Sequence, residues 1–84
     1  MKIIRTDKVS VDIVKKVTYN NLDISKFHIV TDNPLQVSAI CNFKEVITDF
    51  EVRQHELIEL ECKGILKIIL KTSGQANVII SLVR

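Results

Sequence analysis

Four side chains in this sequence could hold a soft metal or supply a nucleophile with its base: His28, Cys41, His55 and Cys62. Zinc sites usually draw their His and Cys ligands in closely spaced pairs, and these four stand singly along the chain. Nucleophilic catalysis needs a Ser or Cys held against a His base by a third group, and no local pattern marks either thiol in that way. His28 falls between Phe27 and Ile29, the place of a structural or exposed strand residue. His55 falls in Arg53-Gln54-His55-Glu56, the composition of a solvated turn. Glu56, Glu59 and Glu61 offer paired carboxylates. On a strand Glu59 and Glu61 share a face and would raise each other's pKa if desolvated. Their alternation with Ile58, Leu60 and Cys62 instead makes them the wet side of that strand. Gly64 and Gly74 are the only glycines, too few for a phosphate-cradling loop. The chain is therefore expected to be non-catalytic, with no cofactor-binding or metal-binding residues.

Charge offers chemistry of another kind. The formal net charge of +2 does not by itself imply a nucleic-acid partner. Lys63, Lys67, Lys71 and Arg84 nevertheless form an acid-free basic C-terminal stretch, the alternative phosphate-contacting surface of a small nucleic-acid-binding β-barrel. Such surfaces interleave aromatics for base stacking. The aromatics here, Tyr19, Phe27, Phe43 and Phe50, all lie outside that stretch. Charge is also segregated: residues 1–44 carry +3, residues 45–61 carry −5 and residues 62–84 carry +4. An acidic segment of this kind either pairs with basic neighbours across a sheet or creates a dipolar surface that meets a charged partner. In the latter case Glu56, Glu59 and Glu61 could serve an inhibitor or regulator of another protein.

The elements that must position these residues are legible from composition and periodicity. Ile, Val and Thr supply 28 of the 84 residues against two Ala. β-branched side chains suit a pleated surface, so this mixture predicts sheet. No run of about 18 apolar residues suggests a membrane span. The charged start, Met1 to Lys8, lacks the apolar core of a signal peptide. A cytoplasmic location is therefore expected, with Cys41 and Cys62 as buried free thiols; a disulfide between them is the alternative.

Val9, Val11 and Ile13 alternate with polar residues over 8–14, a half-buried strand that Lys15-Lys16 interrupts, leaving a helical turn there as an alternative. Tyr19 to Asp23 has turn composition, and Ile24 to Val30 reads as a second strand. Asp32-Asn33-Pro34 is a firm break. Leu35, Val37, Ala39, Cys41 and Phe43 then alternate cleanly with Gln36, Ser38, Ile40 and Asn42. Segment 44–63 reads as two strands about an Arg53–Glu56 turn. Its alternative is a helix capped by Asn42, with Phe43, Val46, Ile47, Phe50, Leu57 and Leu60 near one stripe and Gly64 as the stop. At the C-terminus, Ile65–Lys71 and Ala76–Val83 flank Thr72-Ser73-Gly74-Gln75, the signature of a hairpin.

The expected fold is thus a single domain over 1–84, mainly β: a small antiparallel sandwich or barrel-like meander ending in a C-terminal hairpin. Its alternative is α+β, with one helix at about 44–63 on an antiparallel sheet. Leu66, Ile68 and Leu70 form one face of the predicted hairpin, yet Ile65, Ile69, Ile79 and Val83 make its second face apolar as well. An antiparallel sheet with one wet side would be polar there. Within the monomer, a helix at 44–63 or the N-terminal strands of a sandwich would cover this second face; left uncovered, the two-sided hairpin predicts protein–protein association, as a homo-oligomer or with a protein partner. Ile65, Ile69, Ile79 and Val83 would form the interface, with Lys67 and Lys71 as its polar rim.

Overall fold

The computed structural model describes residues 2–42 and 46–84. The strands are β1 (Ile3–Asn21), β2 (Lys26–Thr31), β3 (Leu35–Cys41), β4 (Val46–Val52), β5 (Ile58–Glu61) and β6 (Ile65–Val83). The β-branched composition is realised as sheet, and the pairings among the described strands are antiparallel, as in the expected fold. The helix at 44–63 is corrected: β4, a turn around Gln54 and His55, and β5 occupy its described part, while Phe43, Lys44 and Glu45 lie outside the described residues. Arg53 and Gln54 interrupt the apolar stripe a helix would need, and Leu57 to Cys62 alternates. The two strands do not pair with each other; β4 adds to β3 and β5 to β2.

β1 and β6 run antiparallel along their whole 19-residue lengths, from Ile3 opposite Val83 to Asn21 opposite Ile65. The C-terminal hairpin is therefore corrected to one long strand. Its turn residues have a different use. Asp12 faces Gln75 and Val14 faces Lys71, so Thr72, Ser73 and Gly74 all stand against Ile13 alone. Extra residues on one strand bend it and strengthen its twist. Ile13 adopts a φ of 66° at the same point, which shifts the alternation and accounts for the Lys15-Lys16 interruption. The two halves of β6 do not fold onto each other because each finds another neighbour: residues 65–71 pair with β3, and residues 78–83 with β2.

The bent β1–β6 ribbon thereby serves two leaves. The first leaf has the order β4, β3, first half of β6, second half of β1. The second has β5, β2, second half of β6, first half of β1. Their inward residues make one core, in which Phe27, Ile29, Val37, Ile68, Leu70 and Ile80 have no measurable exposure. Across the bend, the Tyr19 hydroxyl donates to Asp7 Oδ2 at 3.0 Å, Arg5 Nε lies 2.9 Å from the same oxygen, and the Arg5 guanidinium sits 5.2 Å from the Tyr19 ring centre. Burial, then the bond to Asp7, pushes the Tyr19 hydroxyl pKa upward, so it stays a donor.

The far ends of the leaves are stapled. Cys41, ending β3, and Cys62, following β5, form a disulfide with Cα atoms 5.4 Å apart, correcting the free-thiol expectation. Inward alternation on β3 and β5 carries both sulfurs into the core from opposite leaves. Beside them the Asn42 amide donates to Lys63 O and the Gly64 amide to Ile24 O, each at 3.1 Å. Gly64 has a φ of +67°, and a Cβ there would lie 2.8 Å from Asn42 Cβ. Gly64→Ala should therefore cost about 1–3 kcal/mol, through left-handed backbone and crowding together. Urea titration checks this; a variant as stable as the parent would show that the bend relaxes freely.

Candidate protein interface

The leaves present their outer faces to solvent, and the strand register decides which side chains meet there. On the first leaf, Val46, Ile40, Lys67 and Thr18 lie side by side across four strands. The next row carries Ser38, Ile69 and Lys16, and the next Glu51, Gln36, Lys71 and Val14. Val46 is 61% exposed and Ile40 39%, with Ile69 half-buried between Ser38 and Lys16. Lys71 reaches Asp49 at 3.9 Å. Asp49 has a positive φ of 46° at the β3–β4 bulge, where its amide is bonded by Ser38 Oγ at 3.0 Å.

Of the residues expected to form an interface, Lys67, Ile69 and Lys71 thus share one face. Ile79 is exposed on the outer face of the other leaf. Ile65 and Val83 are fully buried and cannot line a surface, which corrects that part of the expectation. The register shifts between Ile40 and Cys41 and between Thr18 and Asn21 turn Ile65 into the core and leave Leu66 outside. Val83 is enclosed between Ile3 and Lys26, and the Ser25 amide donates to its carbonyl. Sequence reading passed over Ile40 and Val46. Ile40 was visible as the one apolar residue among the outward positions of β3, beside Gln36 and Ser38.

The basic residues proposed for phosphate contact are divided. Lys67 and Lys71 share the outer face of the first leaf, whereas Lys63 and Arg84 flank the Leu22–Ser25 turn, to which both ends of β6 return. The Arg84 guanidinium pairs there with Asp23.

On the second leaf Val30, Ile79 and Lys8 lie abreast, and Asp32, Asn77, Ser10 and His55 complete a groove of about 580 Å³. Asp32 accepts the Asn77 amide at 2.7 Å and its side-chain Nδ2 at 2.9 Å. These bonds, the backbone one first, hold the Asp32 carboxyl below its ordinary pKa. Farther along, Lys26 Nζ donates to Glu59 Oε1 at 2.6 Å and lowers the Glu59 pKa. His28 Nε2 lies 3.3 Å from Glu59 Oε2, near enough for attraction to an imidazolium but without the alignment of a hydrogen bond. His55 stands in the turn expected of it, its amide donating to Thr31 O at 2.8 Å.

No protein-family model and no curated protein matches this sequence. Solved structures do. A de novo designed double-stranded β-helix aligns with a TM-score of 0.60 at 17% identity, over 93% of this chain and 97% of the design. The cupin domain of Drosophila melanogaster CENP-C aligns with a TM-score of 0.61 at 10% identity, over 92% of this chain and 59% of that one. CENP-C bound to CAL1 gives 0.62 at 10% identity, over 92% and 63%. An oxalate oxidase gives 0.64 at 11% identity, over 92% of this chain and 40% of the enzyme. The likeness shows the fold: a double-stranded β-helix, the framework shared with cupin domains. After the design, the chain spans only about half the length of these neighbours. A fold used by a designed protein, a partner-binding domain and an enzyme does not select among activities.

Proposed function

We propose that this chain acts without catalysis, by protein–protein association through the outer face of the first leaf. Ile69 forms its centre, Ile40 and Val46 its apolar extension, and Lys67 and Lys71 its polar rim. The observation that carries this reading is the juxtaposition of Val46, Ile40 and Ile69 outside a core that is already closed. A contiguous apolar face rimmed by charge is the usual mark of a binding surface. The inward positions support it from the other direction, since Val37, Ala39, Ile29 and Ile80 fill the interior that a substrate would need. One neighbour of the same fold has been captured on a protein partner, which is an analogy of fold only. The disulfide bears on the compartment: such bonds persist in oxidising surroundings, which argues against the cytoplasmic expectation.

Light scattering on the purified protein tests the proposal. Above about 100 µM, a surface that self-associates in the low-micromolar to submillimolar range gives a mass above the monomer. At about 1 M salt, where contacts between exposed charges are screened, Ile69→Asp is expected to return it to the monomer with an unchanged β-sheet circular dichroism spectrum, because Ile69 is only half-buried. Ile40→Lys should act alike. A wild-type protein that is monomeric throughout, or a variant that unfolds, would sink the reading.

A further inference from the structure

The fold puts opposite charges on opposite edges of the same sheets. Among the described residues, β1 forms one edge of both leaves and pairs only with β6, while β4 and β5 form the other edges and pair only with β3 and β2. β1 carries Arg5, Lys8, Lys15 and Lys16 against Asp7 and Asp12. β4 carries Asp49 and Glu51, and β5 Glu59 and Glu61, with no basic residue on either strand. The acidic stretch of the sequence is thus the acidic rim of the molecule, and the basic N-terminal stretch is the opposite rim. Lys8, Lys15, Lys16, Glu51 and Glu61 are exposed, and none of them makes an ion pair among the described residues.

We infer that the basic β1 edge of one copy receives the acidic β4–β5 edge of a second copy, extending the sheets from molecule to molecule. Unpaired strand edges carry a row of backbone donors and acceptors able to bond another strand. Charge decides which edges meet: β1 against β1, or the acidic rim against itself, sets like charges together, whereas β1 against the acidic rim sets opposite ones. The two surfaces differ, so the contact is head-to-tail and leaves a free edge of each kind for the next copy. This contact is separate from the outer face around Ile69 and does not depend on it.

The test removes that face with Ile69→Ser and follows mass by light scattering. At about 0.01 M salt, where charges act over about 30 Å, mass should climb with concentration past the dimer; at about 1 M salt it should fall to the monomer. Lys8→Glu/Lys15→Glu and Glu51→Lys/Glu61→Lys, each in that background, should each raise the concentration needed for assembly by about tenfold or more. An equimolar mixture of the two should assemble again, since reversed edges now match. A monomer at low salt would overturn the inference and leave the charges as guards against edge pairing. A closed dimer, reversal variants that assemble like the parent, or a folded mixture that stays monomeric would overturn it equally.

Discussion

Reducing the Cys41–Cys62 disulfide is expected to lower the stability of the folded chain by about 3 kcal/mol. For a domain of this size that corresponds to a fall of about 15 °C in the melting temperature. The two cysteines are 21 residues apart in sequence, so the bond removes substantial loop freedom from the unfolded chain. Its place adds to the effect, because it joins the end of β3 in one leaf to the end of β5 in the other. β3 and β5 are not hydrogen-bonded neighbours. Calorimetry with and without a phosphine reductant measures the difference. Cys41→Ala/Cys62→Ala should show the same fall and no further response to reductant. A shift under about 3 °C on complete reduction would mean that core packing alone holds the leaves together.

Phe27→Ala should be at least as damaging. Phe27 is fully buried, with Leu60 opposite it on β5 and Leu82 opposite it on β6. Emptying a Phe site in a core costs about 3–5 kcal/mol. A chain of 84 residues has a total stability of about 4–13 kcal/mol, so the variant should lose a large part of it. Its urea midpoint should fall by about half, and a loss below about 1 kcal/mol would show that the neighbouring side chains refill the space. Ile69→Asp provides the contrast. It lies on the same long strand as fully buried Leu70 but on the opposite face, and it should leave the midpoint nearly unchanged.

Much of the sheet was legible because alternation is a local signal. β3 reads directly from Leu35 to Cys41, and the break at Asp32-Asn33-Pro34 falls between strands. The long ribbon was not legible. Thr72-Ser73-Gly74 carries the chemistry of a tight turn, and whether it reverses the chain or bends it depends on β2 and β3, which lie far away in sequence. The same non-locality hid the interface. Strict alternation places Ile65 with Ile69, but a register shift set by Cys41 and Asn21 turns Ile65 inward. The outward apolar residue of β3, Ile40, was present in the pattern, yet only the pairing of β3 with β4 and β6 gives it Val46 and Lys67 as neighbours. Composition also could not choose between thiols and a disulfide, since that depends on the approach of two strands from different leaves.

The sharing of β6 by both leaves has a consequence for biosynthesis. During translation β1 through β5 emerge before the strand that β1, β2 and β3 all require. Until then only β2 with β5 and β3 with β4 can pair, and isolated two-stranded units are marginal in water. Val9 cannot meet Val78 until the second half of β6 has left the ribosome. Assembly of both leaves therefore waits for β6 and is slowed by long-range pairing, and the nascent chain is most vulnerable to proteases and to off-pathway partners just before that strand arrives.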